Sequence, residues 1–215
     1  MNDAISGIVV AAITAIGVAG IFFWTNQAKK KRIAALCELC VQRGWTYRHD
    51  SGSLHHGHRI EGDGWVFEAV SRSGGRETAP GSSDWGHASQ WSAEGADPGR
   101  STYILGSRPG GMMDVSRMPL SLLSRFLGDE IAGMQPIDAG GALAEKYILF
   151  APAGMGLRKL LPARSEELLR LWPAGVRLVV RSSPARLRLQ VADKRLEKRE
   201  DVLRLIELGE SLAAR

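Results

Sequence analysis

Apolar residues run from Ala4 to Trp24 without a single charge, and Lys29-Lys30-Lys31-Arg32 follow almost at once. About 21 residues of helix rise roughly 31 Å, the thickness of a bilayer's hydrocarbon core, so the pattern predicts an N-terminal transmembrane helix. A cleaved signal peptide fits less well. Met1-Asn2-Asp3 carries no positive side chain, and the bulky Ile21-Phe22-Phe23-Trp24 lacks a small-residue cleavage pattern. Beyond the cationic run, Ile33 to Arg43 has helical spacing and meets Gly44, a residue suited to the turn that closes a helix.

The pattern then changes to that of strands. Trp45-Thr46-Tyr47-Arg48 is rich in strand formers, and His58-Arg59-Ile60 and Trp65 to Val70 flank the turn sequence Glu61-Gly62-Asp63-Gly64. Ser71 to Ala88, with Gly74-Gly75 and Pro80-Gly81, reads as a loop. Gln90 to Ala93 and Thr102 to Leu105 predict two more strands around the turn Asp97-Pro98-Gly99, and Arg108-Pro109-Gly110-Gly111 ends the second. Leu120 to Ala132 has amphipathic helical spacing, closed by Gly133. Tyr147-Ile148-Leu149-Phe150 is the continuous apolar run of a strand buried on both faces.

A short helix from Leu157 to Leu161 should precede a second, from Leu168 to Trp172, capped by Ser165 with Glu166 and Glu167 in its first turn. Val176 to Val180 and Leu187 to Val191 alternate cleanly around Ser182-Ser183-Pro184 and predict a hairpin. Asp201 to Ala213 predicts a last amphipathic helix. Mixed order without regular βα alternation favours an α+β class. The expected architecture is an N-terminal transmembrane helix followed by one mixed or antiparallel-sheet cytoplasmic domain with packed helices. Its parts are an anchor (1–28), a basic juxtamembrane helix (29–43) and the domain (44–215).

Charge sharpens this picture. The net charge is +5, but residues 29–32 carry +4, residues 33–156 carry −4 and residues 157–215 carry +6. Positive-inside bias then places the domain in the cytoplasm and the N-terminus outside, as in a single-pass protein of the bacterial inner membrane. Trp24, Lys29, Lys30, Lys31 and Arg32 would mark the interface. Gly7, Ala11, Ala15 and Ala19 recur on one helix face, the spacing that lets two spans pair as a homodimer.

The order of apolar span, basic collar, Arg43 to Tyr47 (RGWTY), Lys146 to Pro152 (KYILFAP), Leu168 to Pro173 (LLRLWP) and a closing hairpin resembles uncharacterised bacterial single-span membrane-anchored domains. The resemblance implies the architecture and an inner-membrane location. It implies no activity.

Candidate chemistry is sparse. Cys37 and Cys40 form a C-x-x-C, with His55, His56 and His58 further on, but two residues between His55 and His58 fall short of finger spacing. The pair reads as small thiols packing a helix. The histidines with Asp63 or Asp84 could instead serve a hydrolytic enzyme as a general base. No nucleophile elbow, phosphate loop or H-E-x-x-H accompanies them. Gly154-Met155-Gly156 lacks the third glycine of a dinucleotide fingerprint. No catalytic, cofactor-binding or metal residue is assigned, and no cofactor is expected.

The hairpin carries the sharpest surface feature. Arg177 and Arg181 alternate with apolar residues on its first strand, and Arg186 and Arg188 on its second, so correct register puts four arginines on one sheet face. An acidic protein or anionic membrane lipid would suit such a face. Nucleic acid is disfavoured, because no recognition motif is present and no aromatics interleave with the basic strands. The expected function is a membrane-anchored, non-enzymatic interaction or scaffold module.

Overall fold

The apolar run and the amphipathic segment after it form one helix, α1 (Asn2–Arg43), 42 residues long and unbroken at the basic collar. It is closed by Gly44, whose φ of +70° is readily available only to glycine. In this computed structural model of the chain the described residues are 2–51, 55–72, 87–95, 97, 99–108, 133–192 and 194–214. The helix expected at 120–132, Pro109 to Gly111 and the central part of the expected loop, with Asp84, lie outside them.

The expected membrane span is not upheld. Among the described residues no helix is long and apolar enough to cross a membrane. The uninterrupted apolar run of α1 ends at Trp24; polar and basic residues follow, and the same helix then turns Leu36, Leu39 and Cys40 into the core. The single-pass placement at an inner membrane, with the N-terminus outside and a cytoplasmic domain, is corrected accordingly. So is the fold class, because the described residues form one nine-stranded antiparallel sheet with helices packed on it, and no membrane-spanning helix among them precedes it.

That sheet has nine strands among the described residues: β1 (Thr46–Ser51), β2 (His55–Gly62), β3 (Trp65–Arg72), β4 (His87–Glu94), β5 (Tyr103–Ser107), β6 (Gln135–Ile137), β7 (Tyr147–Ala151), β8 (Leu178–Ser183) and β9 (Arg186–Ala192). The spatial order is β1-β2-β3-β4-β9-β8-β5-β7-β6, and each neighbouring pair is antiparallel. The first four strands are a meander, and the β8–β9 hairpin inserts between it and the β5–β7–β6 group. Four further helices are found among the described residues: α2 (Gly141–Lys146), α3 (Leu157–Leu160), α4 (Ala163–Arg170) and α5 (Arg199–Ala213).

Strand alternation divides the sheet into two unlike faces. On one, Ile60, Phe67, Trp91, Leu189, Val180, Leu105 and Leu149 align across neighbouring strands and are all buried. α5 covers this face at β4 and β9, α1 at β1 and α2 at β7. The other face carries Arg59, Glu68, Gln90, Arg188 and Arg181, with a small apolar cluster of Ile104, Phe150, Met134, Ile148 and Val179 toward β7.

Ser165 does not cap its helix. α4 begins three residues earlier, after Pro162, and buries Ser165, whose hydroxyl shares a 2.8 Å hydrogen bond with that of Ser211 on α5. A second serine ties a connecting segment to the sheet. Ser89 Oγ accepts the N–H of Leu196 at 2.8 Å and donates to the carbonyl of Lys194 at 3.1 Å. Because Ser89 is fully buried, Ser89→Ala strands both backbone groups away from water. Its expected cost is about 1–3 kcal/mol in denaturant unfolding; a change below about 0.5 kcal/mol would show that water replaces the hydroxyl.

Candidate functional site

Among the described residues a concave feature lies on the polar face of the sheet. Thr102, Ile104, Met134, Arg181, Ser182, Ser183, Arg186 and Arg188 line a cleft of about 260 Å³. The alternation of Arg and apolar residues builds it, since each strand of the β8–β9 hairpin buries one set and raises the other. In the observed register Arg181 lies directly opposite Arg188, and Ser183 opposite Arg186. The hairpin turn is fixed by Ser183 Oγ, which accepts the N–H of Arg186 at 3.2 Å.

Three of the four expected arginines therefore meet in one cleft. Arg177, exposed just before β8, is not among its lining residues. Arg181 Nη1 donates to Gln190 Oε1 at 3.5 Å, and Arg186 forms an ion pair with Glu94 on β4. Like charges opposite each other on a sheet are destabilising. Arg181 and Arg188 are nonetheless both half-buried, so the pair raises the local positive potential over a floor of Ile104 and Met134.

Parity along the strands revealed the arginines but not this apolar floor, which comes from β5 and from residue 134, distant in sequence. It also missed Arg100, whose side chain is 9% exposed and lies 3.7 Å from Asp97. The loop bearing it is held against the hairpin by the Asp97 N–H to Pro184 carbonyl bond (2.8 Å) and by Ser182 Oγ donating to the Ser101 carbonyl (2.8 Å). The Asp97-Pro98-Gly99 turn signal was the only hint of that arrangement.

The histidine and cysteine candidates are placed differently. His58 is a core residue of β2, 7% exposed, between the rings of Tyr47 (6.2 Å) and Phe67 (5.6 Å). Burial, then the nearby Arg195 and His49, hold its pKa down at about 4. Asp63 sits in the exposed β2–β3 turn, roughly 13 Å or more of strand away, so the two do not meet. Cys37 and Cys40 are free thiols on α1. Burial and the neighbouring Cys37 push Cys40 up to about 11, which keeps it in the unreactive thiol form. Among the described residues no group of three or more His, Cys, Asp or Glu is placed to hold a metal ion. Trp24 and Lys29, Lys30 and Lys31 are exposed on α1, whereas Arg32 pairs with Glu197 at 2.9 Å.

No known protein family matches the chain, and neither a characterised protein nor a solved structure matches it.

Proposed function

We propose that this chain is an interaction module that seats an acidic segment of a partner protein in the arginine cleft. The observation that carries the reading is the register of the hairpin, which sets Arg181 against Arg188 above an apolar floor. A carboxylate between two guanidiniums accepts charge-assisted hydrogen bonds from both. Ile104 and Met134 favour an apolar side chain next to that acid. Arg186, already paired with Glu94, contributes shape more than charge.

The test is fluorescence anisotropy with a glutamate-rich peptide carrying interspersed leucines. Arg181→Ala and Arg188→Ala should each weaken binding by about 10-fold or more, since a charged hydrogen bond contributes about 1.5–3 kcal/mol. Arg177→Ala, outside the cleft, should leave binding within about twofold. Equal loss in all three variants would reduce the site to diffuse charge and overturn it. Vesicles of anionic lipid, assayed in parallel, should bind more weakly than the peptide; the reverse order would also refute the proposed partner.

A further inference from the structure

Two thiols stand side by side where α1 enters the core. Cys37 and Cys40 are three positions apart in regular helix, which sets their Cβ atoms about 5–6 Å from each other. Cys40 is buried, a member of the core cluster with Leu36, Ile60 and Trp65, whereas Cys37 is only partly covered and gives access from solvent. Tyr47 comes to the same place from β1, after the chain reverses at Gly44. Burial pushes its phenol up to about 12, and the charges of Cys37 and Cys40 push in the same direction. The Tyr47 hydroxyl is buried and has no hydrogen-bond partner among the described residues.

The helical spacing decides what the pair of sulfurs can do. A disulfide needs Cβ atoms about 3.5–4.5 Å apart, so closing one here would unwind the last turns of α1. A metal ion spans further. With metal–sulfur bonds of about 2.3 Å, the sulfurs of a linear bridge lie about 4.6 Å apart, a separation that neighbouring turns of a helix supply. Zinc asks for four ligands, and among the described residues no third His, Cys, Asp or Glu joins these two. Copper(I) is soft, favours thiolate, and is satisfied by two sulfurs in line.

We infer that Cys37 and Cys40 form a two-coordinate site for a single copper(I) ion. Binding is R–SH + R′–SH + Cu⁺ → [R–S–Cu–S–R′]⁻ + 2 H⁺. Two S–H bonds break, two Cu–S bonds form, both protons leave to solvent, and no electron is transferred. The product carries one negative charge beside the orphaned Tyr47 hydroxyl. Neutral thiols are poor acceptors for that O–H, but metal-bound thiolates are good ones, so the phenol stabilises the loaded site. The site stands apart from the arginine cleft and does not depend on its occupant.

The experiment titrates the reduced full chain, without oxygen, against copper(I) held by bicinchoninate, whose colour reports the metal that the protein has not taken. The expected result is withdrawal of one equivalent, with two sulfur neighbours in X-ray absorption at the copper edge. Because two protons are displaced, affinity should fall about a hundredfold for each unit drop in pH. Cys37→Ser, at the partly exposed position, and Cys40→Ala, which keeps the core apolar, should each abolish withdrawal while both variants still unfold cooperatively. Tyr47→Phe should weaken binding by about 10-fold, the effect of losing an outer hydrogen bond to a ligand. No withdrawal by the wild-type chain would mean that the thiols only pack the helix and would overturn the inference. Withdrawal that survives in Cys37→Ser, or displacement of the copper by an equal concentration of zinc, would overturn it as well.

Discussion

Trp91→Ala is expected to lower folding stability by about 3–5 kcal/mol, a large part of the 5–15 kcal/mol typical of a single domain. Trp91 is fully buried at the centre of the sheet, opposite Phe67 on β3 and Leu189 on β9. Its ring lies 6.1 Å from that of Trp65. Its indole Nε1 has no hydrogen-bond partner among the described residues, so the ring acts here through packing. Above it α5 passes so close that a Cβ at Gly209 would come within 2.6 Å of the indole Cε3. Gly209→Ala tests the same contact from the other side: helix propensity favours alanine by about 1 kcal/mol, but overpacking costs about 1–3. Net destabilisation is therefore expected for both variants in urea unfolding. A Trp91→Ala loss below about 1 kcal/mol would refute this account of the core.

The second large effect is acid sensitivity through one residue. His58 titrates near 4 in the folded chain instead of at its ordinary 6.5, chiefly because burial disfavours the charged ring. Above about pH 6.5 neither state is protonated there and the shift has no effect. As pH falls through the interval between those values, the unfolded chain takes up a proton that the folded chain refuses, and stability drops. Below about 4 the loss levels off, at about 3 kcal/mol. The wild-type chain should therefore lose about that much more than His58→Gln between pH 7 and pH 4. Parallel stability curves for the two would show that the ring is hydrated.

Much of the strand pattern was legible, because a period of two is written in adjacent residues. Arg177 to Val191 announced both the hairpin and the sharing of a face by its arginines, and Asp63-Gly64 announced the β2–β3 turn, where Gly64 has a φ of +74°. Partner choice was not legible. Nothing local to Gln90 signals that it will lie opposite Gln190, a hundred positions later. Nor does an arginine's parity disclose the apolar floor beneath it, which other strands supply.

The apolar N-terminal run misled for a related reason. Length and lack of charge between Ala4 and Trp24 suggest a self-contained span, but α1 continues through the basic collar and uses Leu36, Leu39 and Cys40 to pack the domain. Ser165 illustrates the same limit in miniature. Serine before two glutamates suits a helix start, yet its position against Ser211 on α5 was decided by tertiary packing.

The strand order has a consequence for how the molecule is made. Among the described residues β9 and β8 are the keystone of the sheet, joining the meander β1–β4 to the group β5–β7–β6. During synthesis β4 emerges with an unpaired hydrogen-bonding edge and must wait until residues 186–192 have left the ribosome before that edge is closed. The loop to be closed spans about a hundred residues, a non-local pairing of the kind that makes folding slow. Chaperone dependence should thus concentrate in that window, when half of a sheet stands open and its hairpin has yet to be translated.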